Sequence, residues 1–147
     1  MPMPTSLQRI TIEPPAVADA AIIWLHGLGA DGHDFEPIVP ALDIAANHGV
    51  RFIFPHAPIR PITINGGSEM RGWYDIAELA LERKTDEQGI RDSASAVAAL
   101  LDHQIQLGIA STRIVLAGFS QGGAIALHLG LRYTKRLAGI VALSTYL

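Results

Sequence analysis

The chain of 147 residues has room for one domain with a single core, residues 1–147, and for no second folding unit. Its 49 % apolar and 17 % charged residues exclude intrinsic disorder, and a net charge of −3 with scattered Lys and Arg excludes nucleic acid as a natural partner. With no cysteine there is no disulfide, thiol nucleophile or cysteine–zinc site, in keeping with a reducing compartment.

The densest basic groups are Arg83-Lys84 and Arg132 with Lys135-Arg136, too few and too dispersed for an electrostatic stripe. The apolar run Ala20–Leu25 falls far short of the roughly 18–20 residues that cross a bilayer, and the start Met1-Pro-Met-Pro-Thr-Ser lacks a charged n-region. No membrane span and a cytoplasmic location are therefore expected.

In chain order, Gly and Pro clusters divide the sequence into short β-rich runs alternating with helical ones, which predicts an α/β domain. Residues 7–12 alternate in polarity as a half-exposed strand does. Ala20–Leu25, residues 50–54 and 114–118, and Gly139–Leu143 are nearly all apolar, the pattern of parallel strands covered on both faces. Asp34 is placed to cap a helix running to about residue 46, with Pro37 tolerated in its first turn. Residues 55–75, rich in Pro and Gly, read as an irregular, substrate-facing loop. Thr85-Asp-Glu-Gln88 fits a capping box, after which Ile90, Ala94, Val97, Leu101 and Ile105 share one helical face until Gly108. A third helix is predicted over residues 121–132.

Gly118-Phe-Ser-Gln-Gly122 matches G-x-S-x-G between a predicted strand and a predicted helix. Such a turn strains the serine and needs glycines at its flanks, because a β-carbon there would strike the neighbouring strand or helix. Ser120 is thereby presented at a helix N-terminus, where the backbone N–H of Gln121 can stabilise a developing oxyanion. A second glycine-rich loop follows Ala20–Leu25. Gly27, Gly29 and Gly32 satisfy G-x-G-x-x-G, but Pro55-His56 stand where a dinucleotide site needs a ribose-binding acid. The alternative is a strand-to-loop turn that aims the N–H of Leu28 at the same oxyanion.

His26-Gly-Leu-Gly, Phe54-Pro-His-Ala-Pro58, Arg60-Pro-Ile-Thr-Ile-Asn-Gly-Gly67, Met70-Arg-Gly-Trp-Tyr-Asp75 and Gly118-Phe-Ser-Gln-Gly-Gly123 together resemble the phospholipase/carboxylesterase family of α/β hydrolases, which includes the acyl-protein thioesterases. The resemblance implies a mostly parallel sheet with helices on both faces and hydrolysis of a small acyl ester or thioester without a cofactor. It implies Ser120 as nucleophile and the backbone of Leu28 and Gln121 as oxyanion hole. It also implies an acyl channel bordered by residues 62–75, with Trp73 as a wall.

A serine nucleophile needs a histidine to take its proton and a carboxylate to orient that histidine, in this fold in the order Ser, Asp or Glu, His. Residues 121–147 contain no Asp or Glu, and their one histidine, His128, lies about 12 Å along a regular helix from Ser120 at 1.5 Å per residue. His26 reads chiefly as a support for its loop and His56 as a turn-holding side chain, while His33, His48 and His103 fall in loops or on a solvated helix face. No H-E-x-x-H spacing points to a metal. The sequence stops just after Gly139–Leu143, where the resembled family continues through strands and helices that bear its acid and histidine. It is therefore expected to be the N-terminal portion of such a domain, lacking the last strands and helices. An uncovered apolar edge strand predicts aggregation or a homodimer. The alternative to an esterase is an inactive hydrolase fragment acting at most as a binding module.

Overall fold

The structure, a computed structural model, describes residues 6–77 and 85–146. Arg83-Lys84 lie outside the described residues. In chain order the strands are β1 (Arg9–Ile12), β2 (Ala20–Leu25), β3 (Val50–Pro55), β4 (Ile59–Ile62), β5 (Ser68–Arg71), β6 (Ile114–Phe119) and β7 (Gly139–Leu143). The α-helices are α1 (Glu87–Gln106) and α2 (Gln121–Gly130).

The main sheet runs β1-β3-β2-β6-β7, parallel except for β1, which pairs antiparallel with β3. The chain leaves β2 for β3 on one side and later returns to place β6 on the other. The carboxyl ends of β2 and β6 therefore flank a topological switch point, where open α/β sheets bind ligands.

The apolar strands alternate between two cores because successive side chains point to opposite faces. Ile23, Leu25, Ile53, Ile114 and Leu116 face α1 and α2, packing against Val97, Leu101, Ile125 and Ala126. Trp24, Phe52, Phe54 and Ala117 face the other way, against Phe35, Ile38 and Val39. Phe52 and Phe54 are at most 1 % exposed, and each such burial contributes about 1.5–3 kcal/mol.

The predicted helix over 34–46 is instead a 3-10 helix, Glu36–Leu42, with no side-chain cap from Asp34. Pro37 suits its first turn, but Pro40 removes an N–H donor from the interior and obstructs the i−4 carbonyl, so an α-helix cannot propagate. This short segment still covers the second face. The capping box is displaced by one residue: Asp86, not Thr85, is the N-cap and accepts from the Gly89 N–H at 3.0 Å. Gln88 instead donates to Asp92 at 2.8 Å, one helical turn on.

Residues 55–75 are more ordered than their Pro and Gly content suggested, because β4 and β5 form an antiparallel hairpin and Ile62 and Trp73 are fully buried. Helix α2 ends at Gly130, two residues before the predicted limit. In β7, Val141 is 41 % and Leu143 36 % exposed, contrary to a strand covered on both faces and in line with the expected uncovered edge; among the described strands β7 pairs only with β6.

Candidate active site

The turn from β6 into α2 has the backbone that its sequence demands. Ser120 adopts φ 55°, ψ −117°, a conformation that costs a non-glycine residue about 1–3 kcal/mol unless its surroundings hold it. They do. The Ser120 N–H donates to the Leu143 carbonyl at 2.9 Å, and the Ser120 carbonyl accepts from the Thr145 hydroxyl at 2.5 Å and the Ala124 N–H at 3.1 Å. A β-carbon on Gly118 would lie 2.3 Å from the Gly122 carbonyl oxygen, and one on Gly122 would lie 2.4 Å from the carbonyl oxygens of Leu25 and His26. Ser120 is thus wedged between two strand ends, and Gln121 opens α2 with an N–H that a helix start leaves without an intrahelical acceptor.

The loop after β2 lies alongside, since Leu25 and Gly118 are register partners at the ends of adjacent parallel strands. Leu28 sits on this loop, and the next residue, Gly29 (φ 78°), donates its N–H to the Arg71 carbonyl at 2.8 Å. The Leu28 side chain packs close over Gly72.

Trp73 is fully buried. Its indole N–H donates to the His26 carbonyl at 2.8 Å, its backbone N–H donates to Gln121 Oε1 at 2.7 Å, and its carbonyl accepts from the Ser93 hydroxyl. The Gln121 amide also donates to the Tyr74 carbonyl at 2.7 Å. A single buried carboxamide therefore clamps residues 73–74 to the start of α2.

Four histidines are engaged elsewhere. His26 is 1 % exposed, accepts from the Ala57 N–H at 3.0 Å, and has its other nitrogen 2.7 Å from the Gly27 carbonyl; burial holds its pKa below the ordinary imidazole value. His56 accepts from the Gly32 N–H at 2.9 Å and is likewise lowered, chiefly by burial and then by Arg71. His48 accepts from the Val50 N–H at 3.0 Å, and His33 pairs with Glu36 at 3.3 Å. His128 lies two turns into α2, its pKa lowered by burial and by Arg132 and Arg91. Among the described residues no His, Asp and Glu side chains are grouped to hold a metal ion. A cleft of about 420 Å³ lined by Tyr133, Lys135, Arg136 and Ile140 lies at the amino end of β7, away from Ser120 at its carboxyl end.

The phospholipase/carboxylesterase family matches residues 8–147. The chain belongs to this family. It is 42 % identical over 147 residues to acyl-protein thioesterase 1 of Cryptococcus neoformans, covering 98 % of this chain and 61 % of that protein. It is 40 % identical to acyl-protein thioesterase 1 of Schizosaccharomyces pombe over 145 residues, covering 99 % of this chain and 64 % of the relative. Among solved structures, Arabidopsis thaliana SOBER1 superposes with a TM-score of 0.82 at 35 % identity, over 87 % of this chain and 62 % of that one. Zea mays acyl-protein thioesterase 2 gives 0.82 at 30 %, over 95 % and 62 %. The chain thus spans a little over three fifths of the length of these relatives, and its fold is that of an α/β hydrolase with a mostly parallel sheet.

Within this phospholipase/carboxylesterase chain, sequence reasoning missed the side chains of Gln121, Ser93 and Thr145. Gln121 was singled out for its backbone alone. Its side-chain partners lie 47 and 48 residues away, a distance over which no local pattern carries a signal. A long amide directly after a helix-capping turn, in a stretch otherwise apolar, was the one available hint.

Proposed function

We propose that the chain carries the nucleophile and oxyanion hole of a serine hydrolase that cleaves carboxylic esters or acyl thioesters. The strained Ser120 at the start of α2 carries this reading. Its hydroxyl oxygen attacks the acyl carbonyl, and the resulting oxyanion is held by the N–H groups of Leu28 and Gln121. Collapse expels the alcohol or thiol and leaves an acyl-enzyme, which water then hydrolyses. Trp73 enters through the backbone it braces, linking the Leu28 loop to α2. No cofactor takes part. The cysteine-free composition is compatible with a cytoplasmic setting, and no described helix is long and apolar enough to cross a membrane.

The attack requires a base, and His26 is poorly suited to serve: one ring nitrogen accepts from Ala57 and the other faces Gly27. In the family pattern the acid and histidine follow the serine, whereas residues 121–147 hold no Asp or Glu. The engagement of His26 favours the second reading, a binding module without turnover. Hydrolysis of a short acyl p-nitrophenyl ester and of an acyl thioester, each lost in Ser120→Ala, supports the first reading; equal rates in Ser120→Ala refute it.

Self-association belongs to the same proposal. The exposed Val141 and Leu143 lie on β7, which is an edge among the described strands and able to pair with that of a second copy. Sedimentation should show a concentration-dependent dimer that Val141→Lys weakens; a monomer at all concentrations contradicts it.

A further inference from the structure

Two loops at the carboxyl end of the sheet hold each other through crossed hydrogen bonds. His26, directly after β2, accepts at Nε2 from the Ala57 N–H (3.0 Å) of the loop after β3. His56, directly after β3, accepts at Nδ1 from the Gly32 N–H (2.9 Å) of the loop after β2. A backbone N–H can only donate, so each accepting nitrogen must be bare. The two rings are consequently opposite tautomers. His26 carries its proton on Nδ1 and donates it to the Gly27 carbonyl at 2.7 Å, whereas His56 carries its proton on Nε2. A doubly protonated ring has no acceptor, so either bond is lost when its histidine becomes a cation.

The approach of the loops is close. A β-carbon on Gly32 would sit 2.4 Å from the Phe54 carbonyl oxygen and 3.2 Å from the His56 ring. Residues 27–31, Leu28 among them, lie between the two crossed bonds. Arg71 adds further ties, accepting from the Gly29 N–H at 2.8 Å and donating to the Ala57 carbonyl at 2.8 Å.

We propose that His26 and His56 are positioning residues, a reciprocal latch that holds the Leu28 backbone in place and opens when His56 is protonated. The inference rests on the reading of Leu28 as an oxyanion donor. His56 is the member that titrates first, because it is half-buried whereas His26 is sealed from solvent. The groups facing His56 are Arg71 of β5 and His33, which oppose a second proton, and Asp31, which favours it. The His33 ring centroid is 5.8 Å away, and Glu36 pairs with that ring. His26 faces Asp31, Asp34 and His56.

The test is a pH titration of the 15N-labelled 147-residue chain, reading imidazole nitrogen shifts and the exchange protection of the Gly32 amide, normalised at each pH to its intrinsic rate. Expected are opposite tautomers for His26 and His56. Gly32 protection should be constant above pH ~6.5 and fall about tenfold per pH unit once His56 protonates, with the Leu28 amide resonance moving at the same midpoint. In His56→Asn, whose side-chain oxygen accepts in place of Nδ1 without titrating, protection should persist through that pH range. In His56→Phe it should be lost at every pH; should that variant not fold, the wild-type and Asn titrations decide. A proton on Nδ1 of His56, pH-independent Gly32 protection, or an unmoved Leu28 amide each overturns the proposal. Reaction of Ser120 with a fluorophosphonate judges the hydrolase reading separately: an intact latch with an inert serine refutes that reading alone, and a reactive serine without the latch refutes this inference alone.

Discussion

The carboxamide of Gln121 concentrates more of the site's geometry than any side chain visible in the sequence. It accepts from one buried backbone N–H and donates to the next residue's carbonyl, so removing it leaves two buried polar groups without that partner. Gln121→Leu should cost about 2–4 kcal/mol in urea unfolding while retaining volume; a change below about 1 kcal/mol would show that the clamp contributes little. Gly122→Ala should cost about 3 kcal/mol or more, since two carbonyl oxygens occupy the space of the new methyl. Both glycines of the turn were legible, because G-x-S-x-G between a strand and a helix encodes its own steric reason. The position of Trp73 was not. The resemblance implies a wall of an acyl channel, but the hydrogen bonds of Trp73 run to His26, Ser93 and Gln121, which lie far from it in the sequence.

Among the elements, the five strands of the main sheet were legible to within a residue or two because a run of apolar residues bounded by Gly or Pro has few other uses, whereas β4 and β5 fall in a segment read as an irregular loop. Ala20–Leu25 and Gly139–Leu143 fall where their residues place them. Helical segments were less so. Pro40 defeats the α-helix predicted after Asp34, and the cap of α1 moves to Asp86, whose carboxylate also accepts from the Asp75 N–H at 2.9 Å. Asp86→Ala should therefore destabilise by somewhat more than the ~1 kcal/mol of an ordinary cap, whereas Thr85→Ala should leave stability within about 0.5 kcal/mol. Equal effects from thermal melts would contradict the assignment.

For the whole molecule, the order of the sheet explains why residues nearly a hundred positions apart form one site: β2 and β6 are adjacent, and their carboxyl ends deliver the Leu28 loop and Ser120 to the same crevice. The same arrangement makes stability depend on pH. Burial holds the folded pKa of His26 below its unfolded value near ~6.5, so the unfolded chain takes up the proton first. The stability that neutral His26 contributes is complete above that pH and is lost as pH falls through the lowered folded value. Melting temperature should accordingly be level near neutrality and decline below about pH 6.5, with a shallower decline in a folded His26→Asn variant; parallel curves would remove His26 as the cause. Whether the fold prepares Ser120 for acyl transfer is read most directly from the intact mass of the native protein before and after a fluorophosphonate probe, beside Ser120→Ala. One adduct that the substitution abolishes is expected; no adduct, or one that persists in Ser120→Ala, would show that Ser120 is not a nucleophile.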